Sequence, residues 1–320
     1  MRSEAIPPAL AAEGGLMLDA LVGDLLAHGS GLTLVVLRDD RLPLPFQGDG
    51  IHTIMIGDRA NFAEVWQDGI HHSDAVWPIA PETGGILERL CLDVETAGKI
   101  LLTCPSAAVR LAASKLKTLR RLAEFGLPVV PSEPLDARKL PEGTAFVVKP
   151  DDGVGCEGTV IVRNTARLAE LALTENLMVQ ALVEGEPMSL AVLFANGRAR
   201  LLSCNRQRIE RSGHGFALRG CTVNALHDRD GRWQALADEV ARAVPELWGY
   251  AGIDLILAEQ GPAILEINPR LTTSYAGLRP ATGINPASLV LNLLITGQLP
   301  AAPIPAGRAV DIYWGEPDGD

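Results

Sequence analysis

The run Ala263-Ile-Leu-Glu-Ile-Asn-Pro-Arg270 decides the reading of this chain, because an acid and an amide, Glu266 and Asn268, alternate there with aliphatic residues. Successive side chains of a strand point to opposite faces, so Glu266 and Asn268 share one face while Ile264 and Ile267 belong to other environments. Upstream, Ala251-Gly-Ile-Asp-Leu-Ile-Leu-Ala258 has the same half-apolar, β-branched character, and Glu259-Gln-Gly-Pro262 supplies turn chemistry. A hairpin centred on Gln260 places Asp254 opposite Glu266, and directly opposed residues of an antiparallel pair point to the same side. Asp254, Glu266 and Asn268 then converge as oxygen ligands, a hard donor set that suits Mg²⁺ completed by water and phosphate oxygens. A single acid in a strand is usually a solvated residue, but the aligned set followed by Arg270 is poorly explained that way.

At 320 residues the chain exceeds what one core usually covers, so two or three lobes sharing an interface are expected. Apolar content of 47% with only 4% aromatics means aliphatic cores, which fits α/β layers better than an aromatic-rich β-sandwich. With 28 basic and 39 acidic residues the net charge is −11, which argues against a general nucleic-acid binder or a protein of anionic membrane surfaces. Cys91, Cys104, Cys156, Cys204 and Cys221 are scattered without paired spacing, as expected of a reducing compartment and not of a disulfide framework or zinc site. Acidic residues interrupt the N-terminus at Glu4, Glu13, Asp19 and Asp24, and no later apolar run is long enough to span a bilayer, so a soluble cytoplasmic protein is expected. The histidines, His71-His72 included, lack metal-ligand spacing and read as surface or loop residues.

The first third alternates helix and strand. Apolar spacing predicts a helix over 15–27, strands over 32–37, 53–56 and 74–79, and a helix over 61–70. This is a βα layer of Rossmann-like type, yet no Gly-x-Gly-x-x-Gly follows a strand, so dinucleotide binding is not supported. A helix over 106–125 ends at Gly126, and Pro128 and Pro131 mark a connection into a second lobe. There Ala145-Phe-Val-Val-Lys-Pro150 reads as a strand, Asp151-Asp-Gly-Val-Gly-Cys-Glu-Gly158 as a glycine-bearing loop and Thr159-Val-Ile-Val162 as the returning strand. Further strands are expected over 177–183, 189–194 and 199–204, and a helix over 232–248. From Ala301 the chain is proline-rich and ends acidic, which predicts a poorly ordered tail.

Ser114-Lys115, Phe146-Val-Val-Lys149-Pro with Gly153, Gly155 and Gly158, Val179-Gln180-Ala181-Leu182-Val183, Asp254, and Glu266-Ile-Asn268-Pro-Arg270 together resemble the ATP-grasp superfamily in order and spacing. Each piece alone is weak, since a glycine loop is a common hairpin tip; five in register are not. The resemblance implies an ATP-grasp fold with a preceding Rossmann-like α/β domain at 1–105, a small lobe at 106–180, a large lobe at 181–300 and a flexible tail at 301–320. It implies that Lys149 lies against phosphate oxygens as a point charge, and that Lys115 rather than Lys117 enters the site, positions two apart on a helix facing different ways. The loop glycines would let backbone N–H groups approach phosphate. Gln180, Ala181, Leu182 and Val183 would read the adenine, and Glu186, beside the Pro187 of an ungapped alignment, would take the ribose. Asp254, Glu266 and Asn268 would hold Mg²⁺, with Mn²⁺ as the alternative, and Arg270 would neutralise the transferred phosphoryl group. Cys156 replaces a small loop residue.

Within that superfamily Ala12-Glu-Gly-Gly15, Trp77-Pro-Ile-Ala-Pro-Glu82 and Asn268-Pro-Arg-Leu-Thr-Thr-Ser-Tyr275 look most like the tyramine–glutamate ligases of methanofuran-type cofactor synthesis. That resemblance implies joining of the glutamate γ-carboxyl to tyramine, giving γ-glutamyltyramine, ADP and phosphate, and a homodimeric assembly. Glu82 reads equally as a substrate contact or as a helix N-terminal residue opposing the dipole. Thr272, Thr273, Ser274 and Tyr275 read as substrate contacts or as a polar loop. A ligase for a different amino acid and amine pair, and a nucleotide-binding module without catalysis, stay open; the lysines and acids in register argue against the latter.

Overall fold

The computed structural model describes residues 5–29, 31–43, 47–58, 60–136, 145–163, 176–213 and 215–314. Helix α1 (Pro8–His28) opens the chain, with proline at its first turn, where a missing N–H costs nothing. Strands β1 (Leu34–Asp39) and β2 (Ile51–Ile56) pair in parallel. After α2 (Phe62–His71), β3 (Ala75–Val76) and, beyond α3 (Ile86–Thr96), β4 (Ile100–Leu101) form a second parallel pair. The strand expected over 74–79 is thus cut to Ala75–Val76, because Pro78 cannot donate to a ladder. The helix expected over 106–125 is two helices, α4 (Ser106–Ala113) and α5 (Lys115–Glu124). Ser114 between them is extended (φ −98°, ψ 107°) and its hydroxyl accepts from Lys117 N, a serine cap in the middle of a helical pattern.

The remaining strands build one sheet. They are β5 (Ser132–Pro134), β6 (Phe146–Pro150), β7 (Val160–Val162), β8 (Leu177–Ala181), β9 (Glu186–Ala195), β10 (Arg198–Ser212), β11 (Gly215–Leu226), β12 (Gly249–Ala258), β13 (Gly261–Asn268) and β14 (Val310–Tyr313). Their order is β13-β12-β9-β10-β11-β7-β6-β8-β5, with β14 on β11. Strand β9 is the axis of the large part: Met188, Leu190, Val192 and Phe194 enter a core shared with α3, α4, α5 and α6 (Arg232–Ala243). Ala191, Leu193 and Ala195 enter a second core with α1, α7 (Tyr275–Thr282) and α8 (Pro286–Thr296). Both faces of an antiparallel strand are covered, so β9 is apolar at nearly every position.

The hairpin of β12 and β13 closes at Ala258↔Gly261, so the turn is Glu259-Gln260. Leu255 pairs with Ile264 but Asp254 pairs with Glu266, leaving Leu265 as an extra, bulged residue. The bulge is why Ile264 and Ile267, three positions apart, lie in the same core while Glu266 points away from it.

Two further expectations are corrected. Beyond 204 the meander continues, β10 to Ser212 and then β11, a stretch whose arginines mask its alternation. The tail expected from Ala301 carries β14 and buries Trp314 to 4% exposure; residues 315–320 lie outside the described residues. Strand β14 sits so close to β11 that a Cβ on Gly220 would overlap the Ile312 carbonyl oxygen. All five cysteines are free, and among the described residues no helix is long and apolar enough to cross a membrane.

Gly220→Ala should therefore displace β14 and Trp314 at a cost of about 1–3 kcal/mol. A lowered melting temperature with new proteolytic cleavage after residue 300 is the expected result, and a variant with wild-type melting and wild-type cleavage would show that the close approach is not constraining.

Candidate active site

A cleft of about 370 Å³ lies between the β6–β7–β8 hairpin layer and the β12–β13 pair. Asp254 on β12 and Glu266 on β13 project into it from opposed positions, and Asn268 Nδ2 donates to Asp254 Oδ2 at 3.2 Å. Burial, then the facing Glu266 carboxylate, pushes the Asp254 carboxyl up to about 7, while hydrogen bonds from Gln207 and Asn268 work the other way. Glu266 is held below the usual carboxylate range: burial opposes ionisation, but Lys115, Lys149 and Arg270 outweigh it.

Both lysines are nearly dry. Lys115, 7% exposed at the first turn of α5, places Nζ 3.1 Å from Glu266 Oε2 and donates to the Gly153 carbonyl. Burial alone would lower its pKa, yet Glu266, Glu82 and Asp151 hold it above the ordinary lysine value. Lys149, 8% exposed near the end of β6, is pulled below that value by burial, with Lys115 adding to the effect and Glu266 opposing it. Lys117 is exposed, on a different side of the helix from Lys115 as the spacing requires, and the choice between them made from the resemblance holds.

The glycine loop is fixed at its start by Asp151, whose carboxylate accepts from Ser114 Oγ (2.6 Å) and Leu116 N (2.8 Å) at the head of α5. That carboxylate at a helix N-terminus complements the dipole and locks the loop base to the Lys115 helix. Asp152 continues the tie, accepting from Thr83 Oγ1 through its carbonyl and from Gly84 N through its side chain, each at 2.9 Å. Gly155 and Gly158 have positive φ (60° and 67°), and so does Cys156 (67°), which lines the cleft between them.

Of the residues singled out in the sequence, Lys115, Lys149, Gly153, Gly155, Gln180, Ala181, Leu182, Val183, Asp254, Glu266, Asn268, Arg270, Thr272, Thr273 and Ser274 line this one cleft. Gln180 is pinned by donating to Ser132 Oγ at 2.8 Å. Others stand apart. Glu186 is in an ion pair with Arg206 and is not among the lining residues. Gly158 packs on Pro150. Tyr275 is buried under the site, edge-on to Tyr250 with ring centres 5.4 Å apart. Glu82 lies behind the wall, 5% exposed, its Oε2 accepting from Arg270 Nε and contacting Arg270 Nη2, both at 3.0 Å. Thr272 and Ser274 are engaged with the Tyr250 hydroxyl at 2.9 and 3.4 Å. Gln207 on β10, Phe216 on β11, Trp314 beyond β14 and Glu13 on α1 also line the cleft, and none of them stands out as a site residue in the sequence, Glu13 belonging only to the Ala12–Gly15 stretch of the resemblance.

The residues present fit a divalent cation. Two opposed carboxylates that resist simultaneous ionisation gain from a positive charge between them, and an amide completes a hard, all-oxygen set. Among the described residues no group of three His, Cys, Asp or Glu side chains forms a metal site, so water and phosphate oxygens would have to supply the rest.

A glycine loop after β6 and paired acids on β12 and β13, carried by one antiparallel sheet, line a shared charged cleft. The chain belongs to the ATP-grasp family: the ATP-grasp domain matches residues 112–274, and the pre ATP-grasp 3 domain matches residues 32–109. It is similar to the tyramine–L-glutamate ligase of Methanocaldococcus jannaschii, 29% identical over 204 residues, which cover 63% of this chain and 57% of that protein. The chain thus spans little more than half the length of that relative. In fold it is similar to an ATP-grasp superfamily protein from Archaeoglobus fulgidus (TM-score 0.67, 19% identity, 98% of this chain and 96% of that one). It is similar too to the biotin carboxylase domain of the Hydrogenobacter thermophilus 2-oxoglutarate carboxylase, solved with MgADP and bicarbonate (TM-score 0.71, 16% identity, 93% and 71%).

The facing acids set a pH dependence. A carboxyl whose folded-state pKa lies above its unfolded value near 3.9 holds its proton better when folded. Its ionisation therefore costs stability as pH rises from about 4 through about 7, and the cost is complete above that range. Asp254→Asn should raise the melting temperature of the metal-free protein at pH 8 by a few degrees, about 1–3 kcal/mol, with the gap closing toward pH 4. Parallel wild-type and variant melting curves across that range would contradict it.

Proposed function

We propose that this chain is an ATP-dependent carboxylate–amine ligase that works through an acyl phosphate, and that its substrates are glutamate and tyramine. The observation that carries the reading is the convergence of Lys115, Lys149 and Arg270 on the Asp254–Glu266 pair in one cleft, a charge arrangement suited to a triphosphate and its cation. The likeness to a tyramine–L-glutamate ligase supports the substrate choice. The division proposed with it is a preceding domain to about residue 105, a small lobe to about 180 and a large lobe beyond.

Asp254, Glu266 and Asn268 would hold Mg²⁺, which when bound would neutralise phosphate charge and polarise the phosphoryl oxygens. Lys149 and Lys115 would take phosphate oxygens as point charges, and Lys115 would exchange part of its contact with Glu266 for them. Gln180 to Val183 would bound the adenine; Glu186, held by Arg206, would need a rotamer change to reach a ribose. In the reaction an oxygen of the γ-carboxylate attacks the γ-phosphorus and the bond to ADP breaks. The amine nitrogen then attacks the acyl carbon, phosphate leaves with its oxygen, and the nitrogen sheds a proton. Arg270, anchored by Glu82, would face the charge that accumulates on the transferred group. No protein nucleophile is needed, because positioning and charge stabilisation supply the acceleration.

Glu266→Gln should lower turnover at least about 100-fold with the fold intact, since it removes a charge from the pair. Lys149→Ala should weaken ATP binding about tenfold and slow the chemistry as well. Normal turnover of the first at ordinary Mg²⁺, or unchanged affinity and rate for the second, would remove the residue from the site. With wild-type protein, ATP and Mg²⁺, glutamate and tyramine should release ADP only when both are present, with a γ-glutamyl amide seen by mass spectrometry. Coupling of a different pair would keep the ligase and discard tyramine.

A further inference from the structure

Glu13 is a carboxylate that the reading above does not use. It sits on the second turn of α1, far in sequence from the lobes that hold the phosphate-facing lysines, yet it lines the same cleft as Gly155, Arg270, Thr273 and Trp314. A Cβ on Gly155 would come within 3.9 Å of Glu13 Oε1, so the carboxylate lies against the glycine-loop tip. Burial raises its pKa, and only Arg270 and the Trp314 indole offset that. Arg270, however, is already engaged by Glu82 at 3.0 Å. One guanidinium therefore faces three carboxylates, Glu82, Glu266 and Glu13; Glu82 binds it directly and Glu266 is met by Lys115, which leaves Glu13 the least compensated of those in the cleft. A half-buried carboxylate is costly unless a cation or donors meet it.

Trp314 is the second observation. It is 4% exposed and lines the cleft with its indole N–H turned toward the Glu13 carboxylate. That leaves the carboxylate and the indole side by side at the cleft wall. A carboxylate next to an indole is a combination suited to a primary ammonium ion, which gains an ion pair from one and a cation–π contact from the other. The position suits such a group because it lies beside Arg270 and the loop tip, next to where the acyl phosphate would form.

We infer that Glu13 and Trp314 form a subsite for a primary ammonium group of the substrate. The inference rests on the ligase reading for the two ligands that could bring that group: the amine nucleophile or the α-ammonium of the amino acid. In the first case the Glu13 carboxylate also lies where it can accept the proton that the amine must lose.

The test pairs each ammonium ligand with its analogue lacking nitrogen, tyramine with 2-(4-hydroxyphenyl)ethanol and glutamate with glutarate. Binding is measured by calorimetry to the protein loaded with Mg²⁺ and a nonhydrolysable ATP analogue. Wild type should prefer the ammonium member of one pair by about tenfold or more, and the pair that shows it identifies the source of the group. Glu13→Gln should shrink that preference to less than about threefold while binding the nitrogen-free analogue as wild type does. Glu13→Asp keeps the charge one methylene back and should retain part of the preference, so a misfolded Gln variant would not leave the question open. A preference that survives Glu13→Gln or is undiminished in Glu13→Asp overturns the subsite and leaves the ligase reading standing. Wild type that binds none of the four ligands overturns both.

Discussion

Two carboxylates held face to face across a ladder repel each other, and the site is organised around tolerating that repulsion. Asp254 and Glu266 are brought opposite by the register of β12 and β13, and the single bulged residue Leu265 sets that register on the side of the hairpin where it matters. Without the bulge, Glu266 would fall to the core face and Leu265 would take its place beside Asp254. The cations follow from the acids. Glu266 holds the pKa of Lys115 up at 7% exposure and opposes the lowering that burial imposes on Lys149 at 8%, and the two lysines in turn favour ionisation of Glu266. Removing one partner strands the other, which is the more damaging loss in a buried cluster.

The same network reaches the loop and the preceding domain. Asp151 ties the loop base to the head of α5, Asp152 ties it to Thr83 and Gly84, and Glu82 next door holds Arg270. A short stretch around Pro81 thus touches the loop at one point and the far wall of the cleft at another. The loop base and Arg270 are thus joined through that stretch by hydrogen bonds.

Local chemistry made much of this legible. Alternation in 263–268 and the turn residues at 259–262 were enough to oppose Asp254 and Glu266, although the turn is centred half a residue before Gln260 and the bulge restores the pairing. Helical spacing separated Lys115 from Lys117, and the glycines marked the loop. What was not legible depends on distant partners. Strand β14 exists because β11 offers it an edge and Gly220 makes room, neither of which can be read within 310–314. Ser114 had the chemistry of a cap, but an unbroken apolar pattern on either side hid the break. Glu13 and Trp314 enter the cleft from opposite ends of the chain, so only the folded topology brings them together.

Strand β9 carries a consequence for how the chain acquires its structure. Its edges are occupied by β10, which follows directly, and by β12, which arrives more than fifty residues later, with Gly249 pairing to Phe194. Its second face is covered by α1, made first, and by α7 and α8, later still. During synthesis on a ribosome, then, this apolar strand emerges before one of its two edge partners and before two of the helices that cover its second face. Long-range pairing of this kind is slow to form, and the nascent intermediate would present an unpaired, aliphatic edge to its neighbours in the meantime. Production of the protein should consequently be more sensitive to translation rate and chaperone supply than the stability of the finished fold would suggest.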